Sequence, residues 1–142
     1  DYLHTVSFKN RNTRADSIVI AGTENDGRPP FPSRADLSKA LKGVGKGTFV
    51  VMLQHDPSAW ERNILPHSHA QLTLSGHTHG GQVSIFGLRP TIISYKQDKG
   101  LYTQGQRSLF VSSGLGGVVP FRFGVPPEVV VITLRRGKVA EK

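Results

Sequence analysis

Short apolar runs separated by glycine- and proline-rich turns dominate the hydrophobic pattern of the chain. The strongest run, 48–54, is continuously apolar, which is typical of a strand covered on both faces. The apolar run at 16–22 ends at a glycine and predicts a second strand, and 71–74 predicts a third. These three segments predict the centre of a sheet.

Two short helices are predicted between these strands. Ser33 is a candidate N-cap for a helix from about Arg34 to Leu41, and three glycines follow that segment. Pro57 suits the first turn of a second helix that runs to about Asn63, with Asp56 as its cap and Pro66 as its end. Beyond these helices, further strands are predicted at 83–86, 100–103, 108–112 and 129–134.

The order βαβαβ followed by strands predicts an α/β (α+β) fold with a mixed sheet and two short helices. The later strands are expected to be antiparallel. No linker divides the chain, so 1–142 is predicted to form a single domain. The 16 glycines and 9 prolines argue against a helical bundle, and the aliphatic runs argue against a disordered chain.

Composition narrows the possible function classes. The chain has no cysteine, which excludes disulfide frameworks and thiolate metal sites. No apolar stretch approaches the roughly 20 residues that a membrane span needs, so no membrane segment is predicted in this chain. The net charge of +8 suits phosphates or other anions, or balances an acidic remainder of a larger protein. Its lysines and arginines are scattered without interleaved aromatics, so no dedicated nucleic-acid surface is predicted.

Three histidines follow predicted strands directly. His55 comes after the strand at 48–54, and His77 and His79 come after the strand at 71–74. Ligand sites in open α/β sheets form outside the carboxyl ends of the strands. Imidazole is a common ligand for zinc, manganese and iron, and the glycines around His77 and His79 leave space for an ion. The pattern therefore predicts a metal site at this edge.

Other polar residues have simpler interpretations. His67 and His69 lack flanking glycines and precede their strand, which favours solvated loop histidines. Arg28 could contact a phosphate, although a role in shaping the connection between sheet and helix is favoured. Ser112 and Ser113 could form an anion-binding nest, but a strand-to-turn role is favoured.

The segments 53–57 (LQHDP) and 74–82 (LSGHTHGGQ) resemble the last two sequence blocks of the calcineurin-like metallophosphoesterases, above all a bacterial branch with the sequence SGHTHGGQ. Further similar stretches extend the resemblance over nearly the whole chain. It implies the C-terminal half of a four-layer αββα sandwich, whose partner is the N-terminal half of the same polypeptide. Some members of that branch resemble membrane-anchored or exported proteins, which leaves the localisation of the parent open.

The resemblance also implies a function for the parent protein, the hydrolysis of a phosphate monoester or diester by a hydroxide that two divalent metal ions (Mn, Fe or Zn) activate. His55 and His77 would ligate one ion and His79 the other. The family's earlier blocks, Asp-x-His, Gly-Asp-x-x-Asp and Gly-Asn-His followed by Asp or Glu, do not occur here. The expectation is an incomplete site with no catalytic residue in this chain, little activity in isolation, and unassigned substrate-binding residues.

Two alternatives to this hypothesis stay open. His-x-His on a β-strand is also found in cupin-like barrels that bind one iron or manganese ion, although those usually add a glutamate and 80–88 contains no carboxylate. The other alternative is a basic, non-enzymatic binding module in which the histidines are incidental. It predicts that metal depletion changes nothing.

Overall fold

A mixed six-stranded sheet forms the centre of the molecule, for which the computed structural model describes residues 2–8 and 16–135. The spatial order of the strands is β1-β2-β3-β4-β6-β5. The four inner strands run parallel, whereas β1 and β5 are antiparallel edge strands. The strand bounds are β1 Tyr2–Phe8, β2 Asp16–Gly22, β3 Phe49–Leu53, β4 Leu72–Ser75, β5 Gly100–Gln104 and β6 Arg107–Val111.

The α/β class and the mixed sheet are confirmed, but one strand was missed and three details of the prediction are wrong. Strand β1 was not predicted, and β6 pairs parallel with β4, so only the β5–β6 pair fits the expected antiparallel arrangement. Segment 83–86 makes only isolated bridges, of Val83 with Phe123 and of Ile85 with Leu88. Segment 129–134 forms no strand, because no described segment pairs with its backbone.

The first predicted helix begins later than expected. Helix α1 spans Leu37–Ala40, and its cap is Asp36, whose side chain accepts a hydrogen bond of 2.9 Å from the Lys39 amide. Ser33 instead donates its hydroxyl hydrogen to Asp26, at 2.7 Å. The prediction of Ser33 as the cap was therefore wrong, since its oxygen is engaged outside the helix.

The second predicted helix begins later and extends further. A π-helical turn at Trp60–Ile64 leads into helix α2 at Leu65–His67. Pro66 lies inside this helical segment, where a first-turn position needs no amide donor, so it does not end the helix. The guanidinium of Arg107 at the start of β6 donates to the carbonyl oxygens of Ile64, Leu65 and Ala70 and thereby satisfies the end of the segment. In the described part of the chain no helix is both long enough and apolar enough to cross a bilayer.

The helices cover one face of the sheet and form the core. Leu37, Trp60 and Ile64 from the helical segments are buried against this face. The buried strand residues below them are Val19, Ala21, Val50, Met52, Leu109 and Val111. Because the side chains of a strand alternate between its two faces, the residues buried on this face are every second residue of β2, β3 and β6.

The opposite face of the sheet is apolar but remains partly open. Phe49 is 36% exposed, Leu53 is 44% exposed and Leu101 is 65% exposed. We call this surface the open sheet face. Its apolar residues, which share one side through the strand register, are Ile18, Ile20, Phe49, Val51, Leu53, Leu72, Leu74, Leu101 and Phe110. A continuous apolar surface of this kind marks an interaction surface.

Candidate functional site

His55 and His77 meet at the carboxyl edge of the sheet. His55 follows β3 and His77 follows β4, which are parallel neighbours. Two backbone hydrogen bonds continue the pairing past the strand ends, from Gln54 to Leu74 and from Gly76 to His55, each at 3.1 Å. The two imidazole ring centroids lie 5.1 Å apart with the rings nearly perpendicular. The structure thus brings together two of the three histidines that the sequence singled out.

His79 lies one turn further on, in a short 3-10 segment at His79–Gly81. His79 lies close enough to His77 to affect it electrostatically, because the charge of His79 contributes to lowering the pKa of His77. Within residues 2–8 and 16–135, no three metal-ligating side chains are gathered closely enough to hold an ion. The three imidazoles therefore share an edge without forming a complete metal cluster.

Asp56 supplies a buried carboxylate beside this pair. Its side chain is fully buried, and one oxygen accepts a hydrogen bond of 2.8 Å from the Ser58 amide in the turn before the helical segment. The N-cap of that segment is Ala59, so the prediction of Asp56 as the cap was wrong. The other oxygen, Oδ2, has no hydrogen-bond partner among the described residues and lies 3.9 Å from Nε2 of His77. A buried carboxylate oxygen without a partner is costly, so it favours a proton or a cation nearby. The sequence favours a capping role for Asp56 over that of a metal ligand.

The surroundings of His77 keep its imidazole neutral near pH 7. Burial lowers the pKa of His77 from 6.5; Asp56 opposes this effect, while His55, His79 and Arg28 add to it. Neutral imidazole is the form that binds metals. Nε2 lies 2.7 Å from the Tyr95 hydroxyl, so Nδ1 is the ring nitrogen left for an ion. A neutral imidazole with Nδ1 available fits a divalent cation at this edge, and the unpartnered Asp56 oxygen lies on the Nε2 side of the ring, where it favours a proton on that nitrogen.

Tyr95 and Phe31 flank the His77 ring, both edge to face. The ring centroids lie 5.5 Å from His77 for Tyr95 and 4.8 Å for Phe31. Burial raises the pKa of the Tyr95 hydroxyl, the Asp56 charge raises it further, and Arg28 partly offsets both effects. Tyr95 therefore stays protonated at neutral pH and fixes the orientation of His77. No sequence signal indicated Tyr95, which reaches His77 from a loop 18 residues away.

The backbone around the histidines is held in an unusual conformation. His77, His79 and Gln82 have positive φ angles of 70°, 52° and 56°. Side chains with a Cβ avoid this left-handed region, at a cost of order 1–3 kcal/mol per residue, and such residues cluster at functional sites. Contacts with the surrounding structure must therefore stabilise the turn in this conformation.

Two buried polar groups hold that turn in place. The Thr78 hydroxyl donates to the backbone oxygen of Asp98 at 2.5 Å, and Arg89 clamps the Asp98 carboxylate with bonds of 2.6 Å and 3.0 Å. Burial raises the pKa of Asp98, but hydrogen bonds from Arg89 and Thr91 outweigh it, so the net shift is downward. Asp98 is therefore a charged anchor that the sequence does not reveal, because it joins the turn at Thr78 to segment 89–91, and these two segments are apart in the chain.

Gln82 is the second anchor. Its buried amide donates to the carbonyl oxygens of Val119 and Phe121, both at 2.8 Å, and accepts from the Val118 amide at 2.6 Å. Gly117 permits this contact, since a Cβ there would lie 2.4 Å from the Gln82 amide nitrogen. The turn that carries the histidines is thus tied to segment 117–121.

The serines that could have formed an anion-binding nest hold an internal anion instead. Glu128 accepts hydrogen bonds from the Ser113 amide at 2.7 Å and the Ser112 hydroxyl at 3.2 Å. Lys99 pairs with its other oxygen at 2.9 Å. Burial raises the pKa of Glu128, but these hydrogen bonds and the Lys99 charge bring it down to about 2. The nest is structural, in line with the strand-to-turn role that was favoured.

The second His-x-His pair lies away from this edge, since it precedes β4. His67 is exposed, and its Nδ1 lies 3.1 Å from the backbone oxygen of Asn63. His69 is half-buried, and its Nε2 lacks a hydrogen-bond partner. The structure therefore keeps these residues apart from His55 and His77.

Comparison with known proteins identifies the family. An uncharacterized metallophosphoesterase of Aquifex aeolicus is 32% identical over 143 residues, covering 95% of this chain and 54% of the relative. An uncharacterized metallophosphoesterase of Bacillus subtilis is 33% identical over 105 residues, covering 70% of this chain and 36% of the relative. A zebrafish (Danio rerio) protein named "Transmembrane protein with metallophosphoesterase domain" is 31% identical over 141 residues, covering 94% of this chain and 31% of the relative.

No family model and no solved structure matches the chain. The chain spans about half or less of the length of the curated relatives it matches. The names of these relatives all contain the word metallophosphoesterase, and the relatives include both bacterial and vertebrate proteins. The expected resemblance is confirmed, and the chain belongs to the metallophosphoesterase family as a C-terminal portion of the calcineurin-like kind.

Proposed function

We propose that this chain supplies the last metal-ligand blocks of a metal-dependent phosphohydrolase, with His55, His77 and His79 as ligands of two divalent ions. The observation that carries the proposal is the convergence of His55 and His77 at the carboxyl edge of two parallel strands, with ring centroids 5.1 Å apart. When bound, such ions supply a nucleophile from water and stabilise the charge that develops on a phosphate ester.

The protein's own residues would prepare the ligands. Asp56 and Tyr95 both face Nε2 of His77, which leaves Nδ1 for the ion. A partner on the second nitrogen fixes the tautomer and the ring orientation of a ligating histidine. His79, which lies in the left-handed turn at the same edge, would be the ligand of the second ion.

We further propose the finer architecture, an αββα sandwich in which this chain is a single domain, 1–142, within the catalytic domain. The open sheet face supports it, because its apolar side chains are of the kind that a second sheet covers. In this proposal the covering layer comes from the N-terminal half of the same polypeptide. That half would carry the missing aspartates, asparagine and catalytic histidine, so this chain alone hydrolyses little or no phosphate ester. A membrane-associated or exported parent is a further proposal, supported by the name of the zebrafish relative.

Metal binding tests the ligand assignment. In a titration of the 142-residue chain with Zn²⁺ followed by histidine NMR, we expect the signals of His55, His77 and His79 to shift together. Replacing His77 by alanine should weaken the apparent affinity by about 100-fold, since a lost direct ligand costs at least as much as an outer-shell partner. His67→Ala is the matched control, because His67 is exposed and lies away from the edge. Independent responses of the three signals, or equal effects of both variants, would contradict the proposed site.

Catalysis is tested separately with bis-nitrophenyl phosphate and Mn²⁺. The isolated chain should show little or no release of nitrophenol, whereas the longer parent protein should show metal-dependent release. Robust cleavage by the purified 142-residue chain would overturn the incomplete-site proposal while leaving the metal ligands standing.

A further inference from the structure

A cavity of about 490 Å³ opens beside His77. This volume lies within the range of roughly 300–1,000 Å³ that small-molecule sites occupy. Phe31 and Tyr95 line the cavity and are also the two aromatic residues that flank the His77 ring. The cavity therefore shares a wall with the proposed metal edge. The full lining is Arg28, Pro29, Phe31, Ile93, Ser94 and Tyr95.

Arg28 is the one charged residue in this lining. Its guanidinium donates to the backbone oxygen of Ser94 and lies 4.6 Å from the centroid of the Tyr95 ring. Across the described residues, no carboxylate lies within ion-pair distance of it. A guanidinium has five N–H donors, so Arg28 keeps donors and a full charge for an external anion.

The lining residues other than Arg28 determine which group, apart from the anion, the ligand can carry. Phe31, Ile93 and Pro29 present apolar surface, and Phe31 and Ile93 are 46% and 89% exposed. The Tyr95 hydroxyl is already bonded to His77, so apart from Arg28 the Ser94 hydroxyl is the side-chain partner that the lining offers to the several hydroxyls of a sugar. Burying sugar hydroxyls without partners would cost free energy, whereas an aryl or alkyl group would gain it.

We propose that this cavity binds the phosphate ester, with Arg28 donating to non-bridging phosphate oxygens and the apolar walls contacting an aryl or alkyl group. The proposal rests on the proposed function, since the metal edge beside the cavity makes the phosphate a reactant rather than a passive anion. It assigns Arg28 a role in substrate binding beyond the shaping of a loop. The stacking on Tyr95 orients the guanidinium toward that role.

The test uses the metal-free 142-residue chain in EDTA, titrated with phenyl phosphate and, separately, with inorganic phosphate. We expect phenyl phosphate to shift the ring signals of Phe31 and Tyr95 and to bind at least severalfold more tightly than inorganic phosphate. Arg28→Ala should weaken phenyl phosphate binding by about tenfold or more, as expected for lost charge-assisted hydrogen bonds. Arg28→Lys, which keeps the charge and the cation above Tyr95, should weaken it less. Arg34→Ala, an exposed arginine outside the lining, is the matched control and should have no effect.

Each outcome either supports or overturns the assignment of the cavity as the phosphate-ester site. Equal binding by Arg28→Ala and the unaltered chain, equal affinity for both phosphates, or shifts confined to other residues would overturn the cavity assignment. Loss of binding in both arginine-to-alanine variants would show non-specific attraction to a basic chain and would also overturn it. The Zn²⁺ titration of the histidines is run in parallel on the same variants without EDTA. Failure of phenyl phosphate binding with intact zinc binding refutes only the cavity, and the reverse result refutes only the metal ligands.

Discussion

Replacing Glu128 by glutamine should remove a sizeable part of the stability at neutral pH. Glutamine keeps the size of the side chain but loses the charge that faces Lys99 and the Ser113 amide. The drop of the Glu128 pKa from 4.5 to about 2 corresponds to roughly 3 kcal/mol as an upper limit. The side chain is 27% exposed, so solvent screening reduces this figure, and we expect a loss of about 1–2 kcal/mol.

The pH dependence distinguishes this electrostatic origin from a packing defect. The folded state holds the pKa of Glu128 below its unfolded value, so the contribution is complete above about pH 4.5 and is lost as the pH falls toward 2. Urea unfolding at pH 7 and at pH 2.5 measures it, with the fluorescence of the buried Trp60 as the signal. The difference between the unaltered chain and Glu128→Gln should be largest at pH 7 and should shrink at pH 2.5.

Glu24→Gln provides the matched control, because Glu24 is exposed and lies away from the serine nest. It should change the free energy of unfolding by no more than about 0.5 kcal/mol, as surface substitutions usually do. Equal stability of Glu128→Gln and the unaltered chain at pH 7 would refute the reasoning. A loss of the same size at both pH values would point to packing instead of charge.

Three further changes test other parts of the structure. Arg107→Lys should lower the free energy of unfolding by about 1–2 kcal/mol in urea, because an ammonium cannot reproduce the guanidinium bonds to three carbonyl groups; an unchanged midpoint would contradict this role. Gln82→Met should speed hydrogen exchange of the Val118 amide by roughly tenfold, since that amide loses its acceptor; unchanged protection would show that other contacts hold the segment. The isolated chain should self-associate through the open sheet face as its concentration rises in sedimentation experiments, and Leu101→Ser should reduce that association because Leu101 is a highly exposed member of this face; no association, or association that Leu101→Ser leaves unchanged, would contradict this role.

The sequence predicted the features that depend on local pattern. The apolar run at 48–54 became β3, and the histidines after β3 and β4 met because the carboxyl ends of parallel strands share an edge. Segment 129–134 has a similar apolar pattern but forms no strand. An apolar run alone cannot specify pairing, since a strand also needs a neighbouring backbone.

The features that sequence reasoning missed arise from contacts between distant segments. Tyr95 lies in a loop with no periodicity, yet its hydroxyl reaches His77. The Glu128 carboxylate accepts a hydrogen bond from the Ser113 amide, although 15 positions of the chain separate the two residues. Nothing near Tyr95 or Glu128 in the sequence marks these partners, because the folded backbone alone brings them together.

The open sheet face has a consequence for how the covering layer proposed above would compete with other copies of the chain. A covering sheet in the same polypeptide would meet this face at an effective concentration of about millimolar through a short linker. Separate copies meet one another at their actual concentration, which is usually far lower. Covalent continuity alone would therefore favour the correct cover over a like copy, even if both bound the face with equal intrinsic affinity. Phe49, Leu53 and Leu101 can thus remain strongly apolar without a special device against mispairing.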